Sequence, residues 1–395
     1  MKIAILGMGT VGSGVIKVIQ ENQVEIQQFT NEAIEVSHVF GKTINNQHDA
    51  DFQNVTVTEN IDDILNSDVE LVVEVMGGID FTFSLHQKFL SHGIHVVSAN
   101  KDMLAIHIKE LAKIGDENKA QLGYEASCAG GIPIINALTY GLQANKINRV
   151  MGILNGTTNY ILTKMTQDAW SYDKALKDAQ EKGYAEKDPT NDVEGLDARR
   201  KIALLSRIAY KQNLNVEDIP VRGISQVSVK DLEYAQAAGL TMKLLGKSEF
   251  HGDKVQISVE PVLLPNNHQL ATVNDAANAV YVNGNAFGET MFYGPGAGSL
   301  ETASAVVSDV MNIAKFGFVG NLIVEEDANI DIAGEAASYF IRFAKGQTEV
   351  QLDANYKVVA EEDELVILTE DMSANALEQL ENSHQVEAVY VVIKD

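Results

Sequence analysis

The sequence predicts an α/β fold: a doubly wound parallel sheet, to which a second, α+β domain and a small C-terminal βαβ appendage are added. Three observations carry that reading. Strand-like runs at residues 2–6, 35–40, 71–75, 95–98 and 121–126 alternate with helical periodicity through the first third of the chain, the pattern of parallel strands covered by helices on both faces. Glycines at 7, 9 and 12 interrupt this pattern directly after the first run. The chain has 395 residues, 45% of them hydrophobic, and single cores stop growing at roughly 250–300 residues, so more than one core is expected.

From residue 131 to about residue 223 the pattern turns helical, with a polar segment at 172–182 and an apolar-faced one at 196–210. Residues 254–264 and 278–293 read as strands between turn residues, and with the preceding helices they make the α+β domain. Glycines at 294, 296 and 298 end that stretch. Ser299 stands where an N-cap belongs, ahead of an apolar helix to about residue 316 that returns to the first domain. The tail reads as strand 339–343, strand 365–368, helix 374–381 and strand 386–393.

Lys plus Arg number 30 against 55 Asp plus Glu, a formal net charge of −25. Such a surface repels nucleic-acid phosphates and anionic lipid alike, which leaves a small molecule as the expected partner and requires local groups to hold any anion. The one cysteine, Cys128, excludes an internal disulfide framework and suits a reducing cytoplasm. The opening MKIAILGMG meets glycine too early for a signal peptide, and no apolar run approaches the roughly 18 residues of a membrane span. A soluble cytoplasmic protein is expected.

Gly7, Gly9 and Gly12 form G-x-G-x-x-G between a strand and a helix start. The spacing gives a tight turn, close approach of backbone to a pyrophosphate and close packing of helix on strand, while the helix N-terminus favours the anion. The first domain is therefore read as a Rossmann-type dinucleotide fold, with Thr10 and Val11 in the turn against phosphate or ribose. A carboxylate at the end of the second strand would grip a ribose 2′-hydroxyl, but here that strand runs through Val39, Phe40 and Gly41 into Lys42. A cation there suits a 2′-phosphate, hence NADP(H) in preference to NAD(H); a solvated loop lysine is the alternative.

Hydride transfer to a carbonyl leaves an alkoxide that needs a proton, so a general acid must lie within hydrogen-bond reach. No histidine falls between His107 and His251, which makes lysine the leading candidate. On a helix Asp197, Lys201, Leu205 and Ile208 share one face, so an ion pair continues an apolar stripe. Charge on such a stripe is costly unless paired. Lys201 is read either as the acid or as half of an ordinary i,i+4 surface pair. Lys101 follows the strand 95–98 at its C-terminal end, the edge where open α/β sheets bind ligands; it too has an ordinary reading, as a loop lysine.

These residues lie in segments that resemble the homoserine dehydrogenase family over roughly the first 320 residues. The stretch GYAEKDPTNDVEGLDARRK at 183–201 is similar to that family's signature. The resemblance implies substrate binding by Glu186 and Asp197, proton donation by Lys201 and a cofactor contact at Gly183. SANK at 98–101 resembles a strand-end motif in which Ser98 and Lys101 position cofactor and substrate. GILNGTTNY at 152–160 looks like the start of a substrate-domain helix, which implicates Asn155, Gly156 and Thr157. GPGAG at 294–298 resembles a loop closing over the nicotinamide, with Gly298 against the cofactor. EASCAGGI at 125–132 is similar to a monovalent-cation loop, which implies Na+ or K+ held by Glu125 and the main-chain carbonyls of Cys128, Gly130 and Ile132. Lys187 stands where the family often has proline.

The resemblance implies reduction of L-aspartate 4-semialdehyde to L-homoserine, on the branch to threonine and methionine, by a homodimer or a dimer of dimers. It divides the chain into a cofactor domain at 1–130 with the returning helix at 299–320, a substrate and dimerisation domain at 131–298, and a truncated ACT-like tail at 335–395. The polar run 345–356 stands where an ACT domain has its first helix, so the tail is expected to serve subunit contact in place of threonine control. Two other classes remain as alternatives: an oxidising semialdehyde dehydrogenase with Cys128 as nucleophile, and a non-catalytic nicotinamide-binding sensor.

Overall fold

The computed structural model describes residues 1–42, 51–331, 336–347, 350, 352, 354–361 and 364–394. In chain order the described elements are β1 (Lys2–Leu6), α1 (Thr10–Glu21), α2 (Gln23–Thr30), β2 (Glu35–Phe40), β3 (Thr56–Thr58), α3 (Ile61–Leu65), β4 (Leu71–Glu74), α4 (Asp80–Ser91), β5 (His95–Ser98), α5 (Lys101–Glu117), β6 (Leu122–Gly123) and the single turn α6 (Ile134–Asn136). There follow β7 (Ile147–Ile153), α7 (Gly156–Gln167), α8 (Tyr172–Glu181), the short α9 (Thr190–Val193), α10 (Leu196–Tyr210), α11 (Val229–Ala237), β8 (Leu240–His251), β9 (Lys254–Pro265), β10 (Ala277–Gly284) and β11 (Gly288–Pro295). The chain ends with α12 (Ser299–Phe316), β12 (Asn329–Ile330), β13 (Ser338–Phe343), β14 (Tyr356–Ala360), β15 (Val366–Thr369), α13 (Ala374–Ser383) and β16 (Val386–Val392). It divides into two compact units, one formed by residues 1–146, 203–216 and 294–328, the other by 147–202, 217–293 and 329–395.

The first unit holds a sheet of order β3-β2-β1-β4-β5-β6, every pairing parallel. Its central strands are apolar without alternation because both faces are covered: Ile3, Ala4, Ile5 and Leu6 in β1 and Leu71, Val72 and Val73 in β4 are all fully buried. Gly14 lets α1 come close to α12, since a Cβ there would lie 3.2 Å from Ala303 Cβ. Val306, Val310 and Ile313 of α12 then join Ile3, Ile5, Val15 and Ile16 in one core, each contributing about 1.5–3 kcal/mol by burial. The returning helix therefore packs against β1 and α1 of the same unit, and its N-cap is Gly298 where Ser299 was expected. The Ser299 hydroxyl donates instead to Thr10 O at 2.7 Å.

The second unit is built on a sheet of order β11-β10-β7-β8-β9-β16-β13-β15-β14, with β12 on β9. Four of its strands, β7, β8, β12 and β14, were not expected from the sequence. β7 lies where the pattern reads as helical; Met151 and Ile153 are buried beside Leu245 and Val262, and long-range pairing with β8 and β10 decides its form. In the tail β16, β13, β15 and β14 pair antiparallel in that order, and β16 adds in parallel to β9, so the tail continues the main sheet of this unit. Among the described residues of 345–356 there is no helix. A buried network fastens the tail to α11: Arg342 Nε donates to Asp231 Oδ1 at 2.7 Å, Arg342 Nη1 to Glu364 Oε2 at 3.1 Å, and Tyr390 Oη to Asp231 Oδ2 at 3.1 Å.

Candidate active site

Local geometry makes the glycine turn what its spacing suggests. Gly7 sits at φ +103°, and a Cβ there would meet Met76 Cγ at 2.7 Å. Gly12 is the tightest position, since a Cβ would lie 2.0 Å from Gly7 O. Gly9 differs: a Cβ would find nothing within 4 Å, and Gly9 is the N-cap of α1, whose first turn carries no acid. The open space at Gly9, beside the free amides of a helix N-terminus, fits a pyrophosphate. Gly9 and Thr10 are exposed and Val11 is half-buried. Lys42 is exposed one residue beyond Gly41, whose amide donates to Thr58 O at 3.1 Å.

At the neighbouring strand ends Ser98 is fully buried, and its hydroxyl donates to Glu74 Oε2 at 2.9 Å. Asn100 N donates back to Ser98 Oγ at 3.0 Å, and Asn100 Oδ1 caps α5 by accepting from Met103 N at 3.2 Å. Lys101, half-buried, is therefore the first residue of a capped helix.

In the second unit, three sequence-predicted residues come together. Lys201 Nζ donates to Asp197 Oδ2 at 2.7 Å and to Leu154 O at 2.8 Å. Asn155 Nδ2 donates to the same Asp197 oxygen at 3.0 Å and to Asp192 Oδ1 at 2.7 Å, while Asn155 Oδ1 caps α7 by accepting from Thr158 N at 2.9 Å. The Lys201 and Asp197 side chains are only 12% and 8% exposed, so this is a sequestered pair and not an ordinary surface one. Gly156 begins α7 with room for nothing larger: a Cβ would lie 2.6 Å from Ala276 O. Thr157 Oγ1 donates to Tyr184 O at 2.5 Å. Glu186 stands apart from the cluster; it is exposed, and its backbone carbonyl accepts from Gln180 Nε2 at 3.0 Å. Gly183, also exposed, ends the turn after α8 at φ +76°. Asp192, the second carboxylate on Asn155, was missed from the sequence although it lies inside the signature.

Apart from the exposed Gly131, the 125–132 loop is buried in the first unit. Glu125 Oε1 accepts from Ile135 N at 2.9 Å and Oε2 from Asn136 N at 2.6 Å, while Glu125 N donates to Asp309 Oδ2 at 2.7 Å. Burial, together with the charge of Asp309, pushes the Glu125 carboxyl up to about 8; burial alone pushes Asp309 up to about 6. Among the described residues no cationic side chain bridges these two buried carboxylates, an electrostatic setting that a bound cation relieves. Among the described residues no three His, Cys, Asp or Glu side chains are arranged to hold a metal, so a cation here depends on main-chain oxygens. Cys128, Gly130 and Ile132 are buried, and a Cβ on Gly130 would lie 2.6 Å from Gly296 O, which seats the 294–298 loop on this turn. Gly298 is exposed at φ +144°. Full burial of Cys128 withholds its sulfur from an aldehyde, against the nucleophile alternative. Asp309 was missed as well, and the signal was a lone acid in the apolar stripe of 299–316.

Comparison with known proteins decides the family. Residues 7–125 match the model of the homoserine dehydrogenase NAD-binding domain, and residues 133–311 match the homoserine dehydrogenase model. The chain belongs to the homoserine dehydrogenase family. It is 44% identical to the homoserine dehydrogenase of Bacillus subtilis over 328 residues, 82% of this chain and 76% of the relative. The crystal structure of a homoserine dehydrogenase from Thiobacillus denitrificans is similar with a TM-score of 0.91 at 30% identity, covering 100% of this chain and 98% of that one. One from S. aureus is similar at 0.84 and 38% identity, covering 100% and 99%. The activity is that of a homoserine dehydrogenase, an oxidoreductase of amino-acid biosynthesis that acts on CH–OH with a nicotinamide dinucleotide, and neither the oxidising dehydrogenase nor the sensor is needed. No described helix is long and apolar enough to cross a membrane.

Proposed function

We propose that this homoserine dehydrogenase prefers NADPH and that Lys201 is its proton donor. The observation that carries the reading is the sequestered network of Lys201, Asp197, Asn155 and Leu154 O. Two acceptors hold the ammonium, so it meets the aldehyde oxygen of L-aspartate 4-semialdehyde already oriented. A bound nicotinamide supplies the hydride. Lys201 gives its proton to the oxygen as negative charge grows there, a step worth roughly 10²- to 10⁴-fold in rate, and Asp197 holds the ammonium in place beforehand. Asp197 and the exposed Glu186 receive the substrate's amino group, and Asn155, Gly156 and Thr157 shape its seat at the start of α7. Lys101 positions the substrate carbonyl from its own capped helix.

For the cofactor, Gly7, Gly9, Thr10, Val11 and Gly12 take the pyrophosphate, Lys42 the 2′-phosphate, and Ser98, Gly183 and Gly298 the nicotinamide side. The first unit is thus the cofactor unit and the second the substrate and dimerisation unit of a cytoplasmic homodimer or dimer of dimers. Glu125, with the carbonyls of Cys128, Gly130 and Ile132, would hold Na+ or K+; its raised carboxyl supports this, because a cation repays the cost of ionising it. The strand order of the tail supports an ACT-like ancestry, and the lack of a first helix among its described residues supports subunit contact over threonine control. Steady-state rates with NADPH and NADH test the preference: Lys42→Ala should raise the KM for NADPH about tenfold, about 1.4 kcal/mol, and leave that for NADH unchanged. Equal shifts for both cofactors would remove Lys42 from the 2′-phosphate.

A further inference from the structure

Glu74 is a fully buried carboxylate to which no step above gives a role, and it stands at the C-terminal end of β4, on the edge where an open parallel sheet binds its ligand. Its Oε1 accepts from Met76 N at 2.7 Å and Gly77 N at 3.2 Å, which fixes the loop after β4. Its Oε2 accepts the Ser98 hydroxyl at 2.9 Å and faces His86 Nε2 at 3.2 Å. Through Ser98 the network passes to Asn100, whose Nδ2 donates back to Gly78 O at 2.6 Å and whose Oδ1 caps the helix that Lys101 begins. The same loop limits the glycine turn: Val75 N donates to Leu6 O at 2.9 Å, and Val75 O lies 3.0 Å from where a Gly7 Cβ would be. One carboxylate therefore ties together the ends of β1, β4 and β5.

A buried charge survives only if hydrogen bonds replace its water. Burial raises the Glu74 carboxyl, but the bonds from His86, Met76 N and Ser98 outweigh it and hold the group below its ordinary range. His86 is itself fully buried, and its Nδ1 has no partner among the described residues. The His86 Nε2 is placed to donate to Glu74 Oε2. Apolar side chains would fill this space at less cost, so the network earns its place by what it orients.

We propose that Glu74, held by His86, is the positioning residue of the cofactor edge, setting the glycine turn, the 75–78 loop and the Ser98–Lys101 strand end for the nicotinamide dinucleotide. The proposal rests on the family assignment of residues 7–125 as the cofactor domain. The test titrates NADPH fluorescence on the full-length enzyme and follows KM for the semialdehyde and thermal unfolding for Glu74→Gln, His86→Gln and His86→Leu. Glu74→Gln should weaken NADPH binding about tenfold or more and raise KM for the semialdehyde by a smaller factor, through the strand end that carries Lys101. His86→Leu should give the same loss, and His86→Gln, whose amide can still donate to Glu74, should recover affinity to within about threefold of native. If Glu74→Gln does not fold, the two His86 variants make the same comparison. Unchanged NADPH affinity in folded Glu74→Gln, or equal losses for Gln and Leu at position 86, overturns the proposal. Failure of the cofactor assignment itself is distinguishable, since the native protein would then not bind NADPH.

Discussion

Lys201→Ala separates the two things the Lys201 ammonium does. Loss of the proton donor should lower kcat by roughly 10²- to 10⁴-fold. Removing one partner of a fully buried ion pair costs about 3–5 kcal/mol, but here the side chains keep 12% and 8% exposure, and Asn155 still donates to Asp197 Oδ2 at 3.0 Å. The loss is then closer to that of leaving hydrogen-bonding groups unsatisfied, about 1–3 kcal/mol, which lowers the melting temperature by several degrees. The assay follows NADPH oxidation with L-aspartate 4-semialdehyde alongside NADPH affinity and thermal unfolding. A folded variant with near-native affinity for NADPH and kcat reduced at least a hundredfold is expected. Lys201→Arg should restore much of the stability without the rate, because a guanidinium keeps its charge but does not give up its proton. Turnover within tenfold of native for Lys201→Ala, or a kcat loss that only tracks lost NADPH affinity, would refute the assignment.

Two further outcomes follow from the geometry. Gly9→Ala should fold and melt like the native protein while NADPH affinity falls, because its Cβ meets no protein atom and can obstruct only a ligand; Gly12→Ala should lose both, because its Cβ would collide with Gly7 O at 2.0 Å. Near-native NADPH affinity in Gly9→Ala would displace the pyrophosphate from that space. The pH dependence has a definite sign. Glu125, at about 8, and Asp309, at about 6, hold protons in the folded state that the unfolded chain has already released, so stability falls as pH rises from the ordinary carboxylate range through about 8. In choline chloride the melting temperature should drop between about pH 6 and pH 8, and NaCl or KCl at equal ionic strength should flatten the curve. Identical curves in the three salts would mean that Glu125 holds no cation.

How much could be read from sequence differed between the two units. In the first, β1, β2 and β5 have the predicted bounds; β1 is buried on both faces and is written as an uninterrupted apolar run, and the glycine turn has a local geometric cause. Helix α10 also has the predicted bounds, but in the second unit β7 and β8 were not read as strands. Their sequences do not separate helix from strand, and pairing partners about a hundred residues away, such as Arg149 opposite Glu249, decide the matter. The same division runs through the site. Lys201 and Asp197 were found because both lie on one helix, four residues apart. Asp192, Asp309, Glu74 and His86 were not, since each gains meaning only from a partner on another element.

The sequence by itself determined the glycine turn, the parallel first sheet and the lysine–aspartate pair, because each is encoded within a single turn, strand or helix face. Only the tertiary structure decided which carboxylates are buried, which of them share donors, and that the tail strand β16 completes the sheet at β9. Burial and hydrogen-bond satisfaction depend on what distant segments bring to the same place. A residue's chemical type is local, whereas the environment that sets its charge and its orientation is not.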